Sequence, residues 1–490
     1  MHSVVFPALF STPGIRANAD WCFLKLVVPR RRWLSGVFTL TSDGNSEVRC
    51  NVVQALVGVF EIDPERMSRW LPNLIDYMLQ STADADEQVA QEACEFWLSL
   101  AEEEGALAIL APKLNQLIPL LLQHMRYSDH DVFLLRGDED DADVADLPQD
   151  IRPHIVKGKR MGADDDSDDD EDDDAADALS EWSLRKSAAA SLDVLSGVYG
   201  DEFTKNQLHQ GIAVQGSGNF LEILLPFLNQ MLGSAEWEHR ESGILALGAI
   251  AEGTLAHACD VAHTCSVQCV VNRGPFACAN LCLPVAILSV AGCIEGLSPH
   301  LPQLVPFLIG ALSSEKALIR SITCWTLSRY ASWVLMLAEP AGGPGSELLP
   351  ALLEQLLKRV LDGNKRVQEA ACSALAVLEE EANMNGAALL PYLGPILQTL
   401  VAAHGTYQEK NMMILYDAIQ TLADAVGPAL NDEVSLTPHR PMSSRPLARL
   451  SVCVLLPMPA PFPEVLTRQH ASLLWRSPRL FLNDSNTSNY

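Results

Sequence analysis

Aromatic side chains make up only 6% of the 490 residues, and 34 Lys and Arg stand against 62 Asp and Glu. Few aromatics beside abundant Ala and Leu suit packed helices better than sheets. The shortage of base removes the cationic stripe that phosphate binding needs, so the sequence does not point to a nucleic-acid partner. Long apolar runs are also missing. The longest, about 281–294, contains Pro284 and is too short to span a bilayer, so no membrane insertion is expected. There is no Gly-rich phosphate loop, no H-E-x-x-H and no nucleophile elbow. The "GGPG" at Gly342 has no strand pattern before it. No catalytic residue, cofactor or metal ligand is therefore assigned, and an enzyme is disfavoured.

What is present is 48% hydrophobic residues, enough for one large core or a series of small ones, and a net charge of -28. Residues 137–177 hold 18 acidic and four basic residues, half of that net charge. The centre of the run is Asp164, Asp165, Asp166, Asp168, Asp169, Asp170, Glu171, Asp172, Asp173 and Asp174. Adjacent carboxylates repel, and almost nothing apolar is present to offset ordering, so 137–177 reads as a solvated, disordered loop. Of the 12 cysteines, six lie between Cys259 and Cys293; the scatter of the rest fits buried free thiols in a reducing compartment. The basic start, with Arg16, Lys25 and Arg30 to Arg32, could be a mitochondrial presequence. It shows no clean amphipathic helix, and an unstructured or wrongly joined segment fits better.

Self-similarity dominates the rest. Seven segments open with charged or polar residues and continue as a small, apolar helix, starting at Glu47, Gln88, Ser183, Glu238, Leu318, Arg366 and Glu409. Six follow another apolar helix, usually with a proline in its first turns, such as "WLPNLIDYMLQ" and "LLPALLEQLLKRVL". A period of about 41 residues with two helices per unit is the HEAT pattern. Each pair has a face it cannot bury alone, so an all-α superhelical solenoid of about seven antiparallel pairs is expected over 46–427. The overlong spacings mark insertions. One places the acidic run between the two helices of a single repeat. Another is the Cys-rich stretch 254–292. Its Cys259, His263, Cys265, Cys269, Cys278 and Cys282 match no trusted zinc spacing, and translated non-coding sequence or a disordered insert is the preferred reading.

The repeats resemble the transportin family, importin-β-like nuclear import receptors. The resemblance is carried by "QVAQEACEFWLSLAEE", "YSDHDVFLLRGD", "WSLRKSAAASLDVL", "ESGILALGAIAEG", "KALIRSITCWTLSRYASWV", "NKRVQEAACSALAVLEEEA" and "ILYDAIQTLADAVG". It covers Ser46 to about Gly427. Segments 1–45, 254–292 and 428–490 do not match. It implies only the central repeats of a receptor, without those that make the main Ran contact. It also implies cargo proteins carrying nuclear localisation signals, the Ran GTPase and nucleoporins as partners, and shuttling between cytoplasm and nucleus.

In that family the cargo signal is an extended, basic peptide ending in Pro-Tyr, bound by the second helices. Motif by motif, the resemblance implies Ala189, Ala190 and Asp193, then Leu245, then Ile322, Trp325 and Arg329, then Val377 and Glu380, and finally Asp417. Val377 stands where the family has threonine, which removes a hydroxyl. Ile322 and Trp325 would form an apolar platform for the two rings, and the three carboxylates would meet arginines. The acidic loop would couple Ran-GTP binding to cargo release. The blander alternatives are that Leu245 and Ile322 are inter-repeat core and that the loop only keeps the chain soluble. For the whole chain, the alternatives are a general HEAT scaffold or a non-functional truncated or misspliced product.

Overall fold

Three of the second helices start where a short polar side chain takes over free amides. Asn45 accepts from the Glu47 amide at 3.0 Å, Asp86 from Gln88 and Val89, and Asn364 from Arg366 and Val367. The computed structural model describes residues 36–128, 131–132, 140–146, 182–199, 220–251, 297–338, 345–382, 388–427 and 429–430. All of 254–292, and most of 1–45, 137–177 and 428–490, lie outside the described residues. Among the described residues no β-strand occurs, and the chain is all-α. The main helices are α1 (Ser46–Ile62), α2 (Leu71–Thr82), α3 (Glu87–Ala101), α4 (Leu114–His124), α5 (Leu184–Tyr199), α6 (Phe220–Leu232) and α7 (Trp237–Ala251). They continue as α8 (Leu301–Ala311), α9 (Ala317–Ser328), α10 (Leu348–Val360), α11 (Lys365–Ala382), α12 (Leu393–Thr406) and α13 (Glu409–Val426).

The chain forms two units, one of residues 1–128 with 179–299 and one of 129–178 with 300–490. In the first, α1, α3, α5 and α7 pack side by side as one layer, with α2, α4 and α6 behind. In the second, α9, α11 and α13 form the layer, backed by α8, α10 and α12. Helices α4 and α5 pack as a pair although residues 125–183 run between them. Helix α7 is buried at every position from Glu241 to Ala251. Gly243 permits this: a Cβ there would sit 3.1 Å from that of Met231 and 3.2 Å from Leu232 on α6. Helical residues 106–124 are long and apolar enough to cross a membrane, but half of that surface is buried inside the protein. Its core includes Leu114, Leu117, Ile118 and Leu121, which pack α4 against its neighbours.

The prolines divide into two groups. Pro72 and Pro302 take first-turn positions, as the sequence suggested. Pro119, Pro226 and Pro306 instead sit inside α4, α6 and α8, where each removes one backbone hydrogen bond. Tertiary packing of the apolar face outweighs that loss.

An arginine early in a second helix reaches the next repeat. Arg49 donates twice to Asp84, both at 2.8 Å; Arg185 donates to Glu241 at 2.6 Å; Arg320 donates to Asp362 at 3.0 and 2.7 Å. The same arginines satisfy carbonyls: Arg320 bonds those of Ser314 and Glu315, Arg49 that of Asp43, and Arg185 that of Met125. Asp362 is 7% exposed and also accepts from Arg359 and from the Asn364 amide. Asp362→Ala leaves Arg320 buried without its partner, and should cost unit two about 3–5 kcal/mol. Urea unfolding would check this; a loss below about 1 kcal/mol would mean the pair is not a structural joint.

Candidate functional site

The ten residues expected to bind cargo divide between the units. Ala189, Ala190 and Asp193 lie on α5 and Leu245 on α7, in the first unit; α5 and α7 pack together. Ala189, Ala190 and Asp193 are partly exposed, as a peptide face requires. Leu245 is buried, at 6% exposure, and so contributes to the inter-repeat core. In the second unit, Ile322 and Trp325 lie on α9 with Arg329 capping its end, Val377 and Glu380 on α11, and Asp417 on α13. These three helices are consecutive neighbours in one layer.

Ile322, Trp325 and Arg329 recur at i, i+3 and i+7, which keeps them on one side of α9. All three are partly exposed, while Thr323, Cys324, Thr326 and Leu327 are buried. The helix thus turns one face inward and leaves an aromatic on the other. The Arg329 guanidinium carbon stands 4.9 Å from the Trp325 ring centroid, so a cation–π contact holds the indole in one orientation. A preset ring costs less entropy to use in binding.

The carboxylates beside this platform are not equivalent. Glu380 is exposed, and Asp417 is half-buried. Burial, and then the charge of Glu380, push the Asp417 carboxyl above its usual range. Glu379, one residue earlier, is fully buried, and neither of its oxygens has a hydrogen-bond partner. Burial, and then the charge of Asp417, raise its carboxyl well above the carboxylate range. The resemblance pointed to Glu380 and passed over Glu379. The only signal was the triplet Glu379–Glu381, in which one member must turn inward on a helix packed on several sides. Glu381 has its own partner, accepting from the Ser332 hydroxyl at 2.9 Å.

Among the described residues, no group of three or more His, Cys, Asp or Glu is placed to hold a metal ion. Cys94, Cys324 and Cys372 are buried free thiols, and Cys50 is half-buried, its thiol pushed up to about 11 by burial. None is primed as a nucleophile. Asp164 to Asp174 and the Cys259–Cys282 cluster lie outside the described residues.

Comparisons with known proteins bear on family and fold. A HEAT-like repeat model matches residues 285–330. Transportin-1 of Mus musculus is 43% identical over 437 residues, 86% of this chain and 41% of its own length. Importin subunit beta-2 of Schizosaccharomyces pombe is 40% identical over 464 residues, 88% of this chain and 44% of its own. This chain is a transportin-family homologue. It spans about two-fifths of the length of these relatives. Importin beta, solved in an ammonium sulfate condition, matches with a TM-score of 0.53 at 17% identity, over 83% of this chain and 38% of that one. That likeness supports the fold alone.

Glu379 yields a test on the transportin-like array itself. Its carboxyl is raised in the folded state, so the native protein holds a proton that the unfolded chain releases near pH 4.3. Stability contributed by the neutral acid is therefore lost as pH rises from that value toward the raised one. Glu379→Gln should remove this slope. Its stability relative to the parent should grow from pH 5 to pH 8 in thermal melts. A constant difference across that range would show that Glu379 does not titrate in the fold.

Proposed function

We propose that this chain acts as a nuclear import receptor, or as the cargo-binding part of one. It takes an extended basic peptide ending in Pro-Tyr along its layer of second helices. The observation that carries this is the α9 face, where Trp325 stands partly exposed beside Ile322 and is steadied by Arg329. An ordinary HEAT scaffold has no reason to hold an aromatic open in this way. The neighbouring Glu380 and Asp417 supply the charge for lysines and arginines of the same peptide. The names of its relatives, transportin and importin subunit beta-2, fit a transport receptor and not an enzyme. Partners are then cargo proteins, the Ran GTPase and nucleoporins, and the protein works in both cytoplasm and nucleus. The acidic run couples the arrival of Ran-GTP to departure of the peptide.

Val377 marks a limit on the resemblance. It is partly exposed on α11 and offers no hydroxyl where the family has one. The peptide is held there by shape alone.

Calorimetry with a basic Pro-Tyr peptide tests the reading. Trp325→Ala should weaken binding by about 1–3 kcal/mol, the range for a buried aromatic anchor, while helix content stays unchanged. Equal affinity in mutant and parent would remove the platform from the site. A scaffold would retain no peptide at all. Affinity should also fall as salt rises, because the carboxylates meet their partners across partly exposed gaps. A flat salt response would argue against carboxylate pairing.

A further inference from the structure

Residues 140–146, at the leading edge of the acidic insertion, were expected to be solvated. They are instead seated on the second unit. The amides of Asp141 and Ala142 both donate to the Gly363 carbonyl at 2.9 Å. Asp141 accepts from the Lys365 amide at 2.7 Å. The Lys365 ammonium donates to the Val144 carbonyl at 2.6 Å and to Asp146 at 2.5 Å. The other oxygen of Asp146 accepts from the Lys410 amide at 2.7 Å.

Lys365 and Lys410 are at or next to the first residues of α11 and α13. The first amides of a helix have no partner within it, and the helix dipole favours negative charge there. Two acidic side chains five residues apart thus cap two adjacent second helices at once. Gly363 allows the approach: a Cβ there would sit 2.6 Å from the Asp140 carboxyl. The Asp146 side chain is 3% exposed and that of Lys365 12%, so salt screens this pair poorly.

We propose that the leading ends of α11 and α13, with the Gly363 carbonyl and the Lys365 ammonium, form a binding site for a short acidic peptide, and that residues 140–146 occupy it in cis. The contact is a clasp. It fixes the point from which the acidic insertion continues and places that point on the unit carrying Trp325, Glu380 and Asp417. The site reads pattern as well as charge. It needs a turn that presents two amides to one carbonyl, and carboxylates spaced to reach both helices. Burial alone would raise the Asp146 carboxyl, but Lys365 and the Lys410 amide more than offset that and hold it below its usual range. The clasp is therefore charged and closed at neutral pH. It stands whether or not the face beside it binds Pro-Tyr cargo.

Amide hydrogen exchange on the full chain tests the clasp. In Asp141→Ala/Asp146→Ala, the Lys365 and Lys410 amides should exchange about tenfold faster than in the parent, the effect of losing one charge-assisted hydrogen bond each. Lys365→Met, which keeps both carboxylates and the helix start, should speed exchange at Lys410. It serves as the check if the double variant is unstable. A labelled peptide of residues 138–148 gives the second arm. In the parent the tethered segment outcompetes it. In the double variant it should bind at least about tenfold tighter than in the parent, and adding Lys365→Met should abolish this gain. A scrambled peptide of the same composition should not bind. Unchanged exchange in both variants, equal peptide binding to parent and double variant, or equal binding of the scrambled peptide would each overturn the proposal.

Discussion

A helix pair with one apolar face is not a folded object, and what makes this chain one is the joint between a repeat and the next. Apolar contact supplies most of the adhesion, but it does not fix register. The arginine–acid pairs do. Arg49 with Asp84, Arg185 with Glu241 and Arg320 with Asp362 each tie an early turn of a second helix to the following repeat, and each arginine also closes carbonyls of its own turn or a nearby one. The guanidinium fork suits this because it can serve a carboxylate and a carbonyl together in one plane. Asn411 extends the same logic without charge, donating to the Lys365 carbonyl and to Gln368 on α11.

Fixed register decides what the second helices can offer. With α9, α11 and α13 locked side by side, residues on their outward faces line up across repeats. An indole on one helix then has carboxylates on the next two. In the proposed function, the site for an extended peptide is the layer and no single helix. The same register brings the starts of α11 and α13 close enough for one acidic segment to cap both.

Buried charge is placed with different consequences along this layer. Asp362 is buried and fully satisfied, so it is a joint. Glu379 is buried and unsatisfied, so its carboxyl is pushed up and it costs stability as pH rises. Asp146 is covered by its partners and stays ionised. The three carboxylates thus differ in which donors reach them.

The sequence by itself determined the helices and the period of about 41 residues. These follow from local signals: apolar spacing, Asn and Asp caps, and polar turns. It also carried the Trp325–Arg329 spacing, since i, i+3 and i+7 hold on any helix. It did not determine that Leu245 turns into the core, that Pro119, Pro226 and Pro306 sit inside helices, or that Glu379 and not Glu380 is buried. Each depends on which neighbours surround a helix, and a periodicity does not say how many there are. Nor could it show the clasp. Asp146 and Lys410 are far apart in the chain, and a run of acids reads as solvated until the fold sets free helix amides in front of it. Only tertiary structure supplies those partners, because hydrogen bonding to a carboxylate depends on position in space and leaves no local pattern.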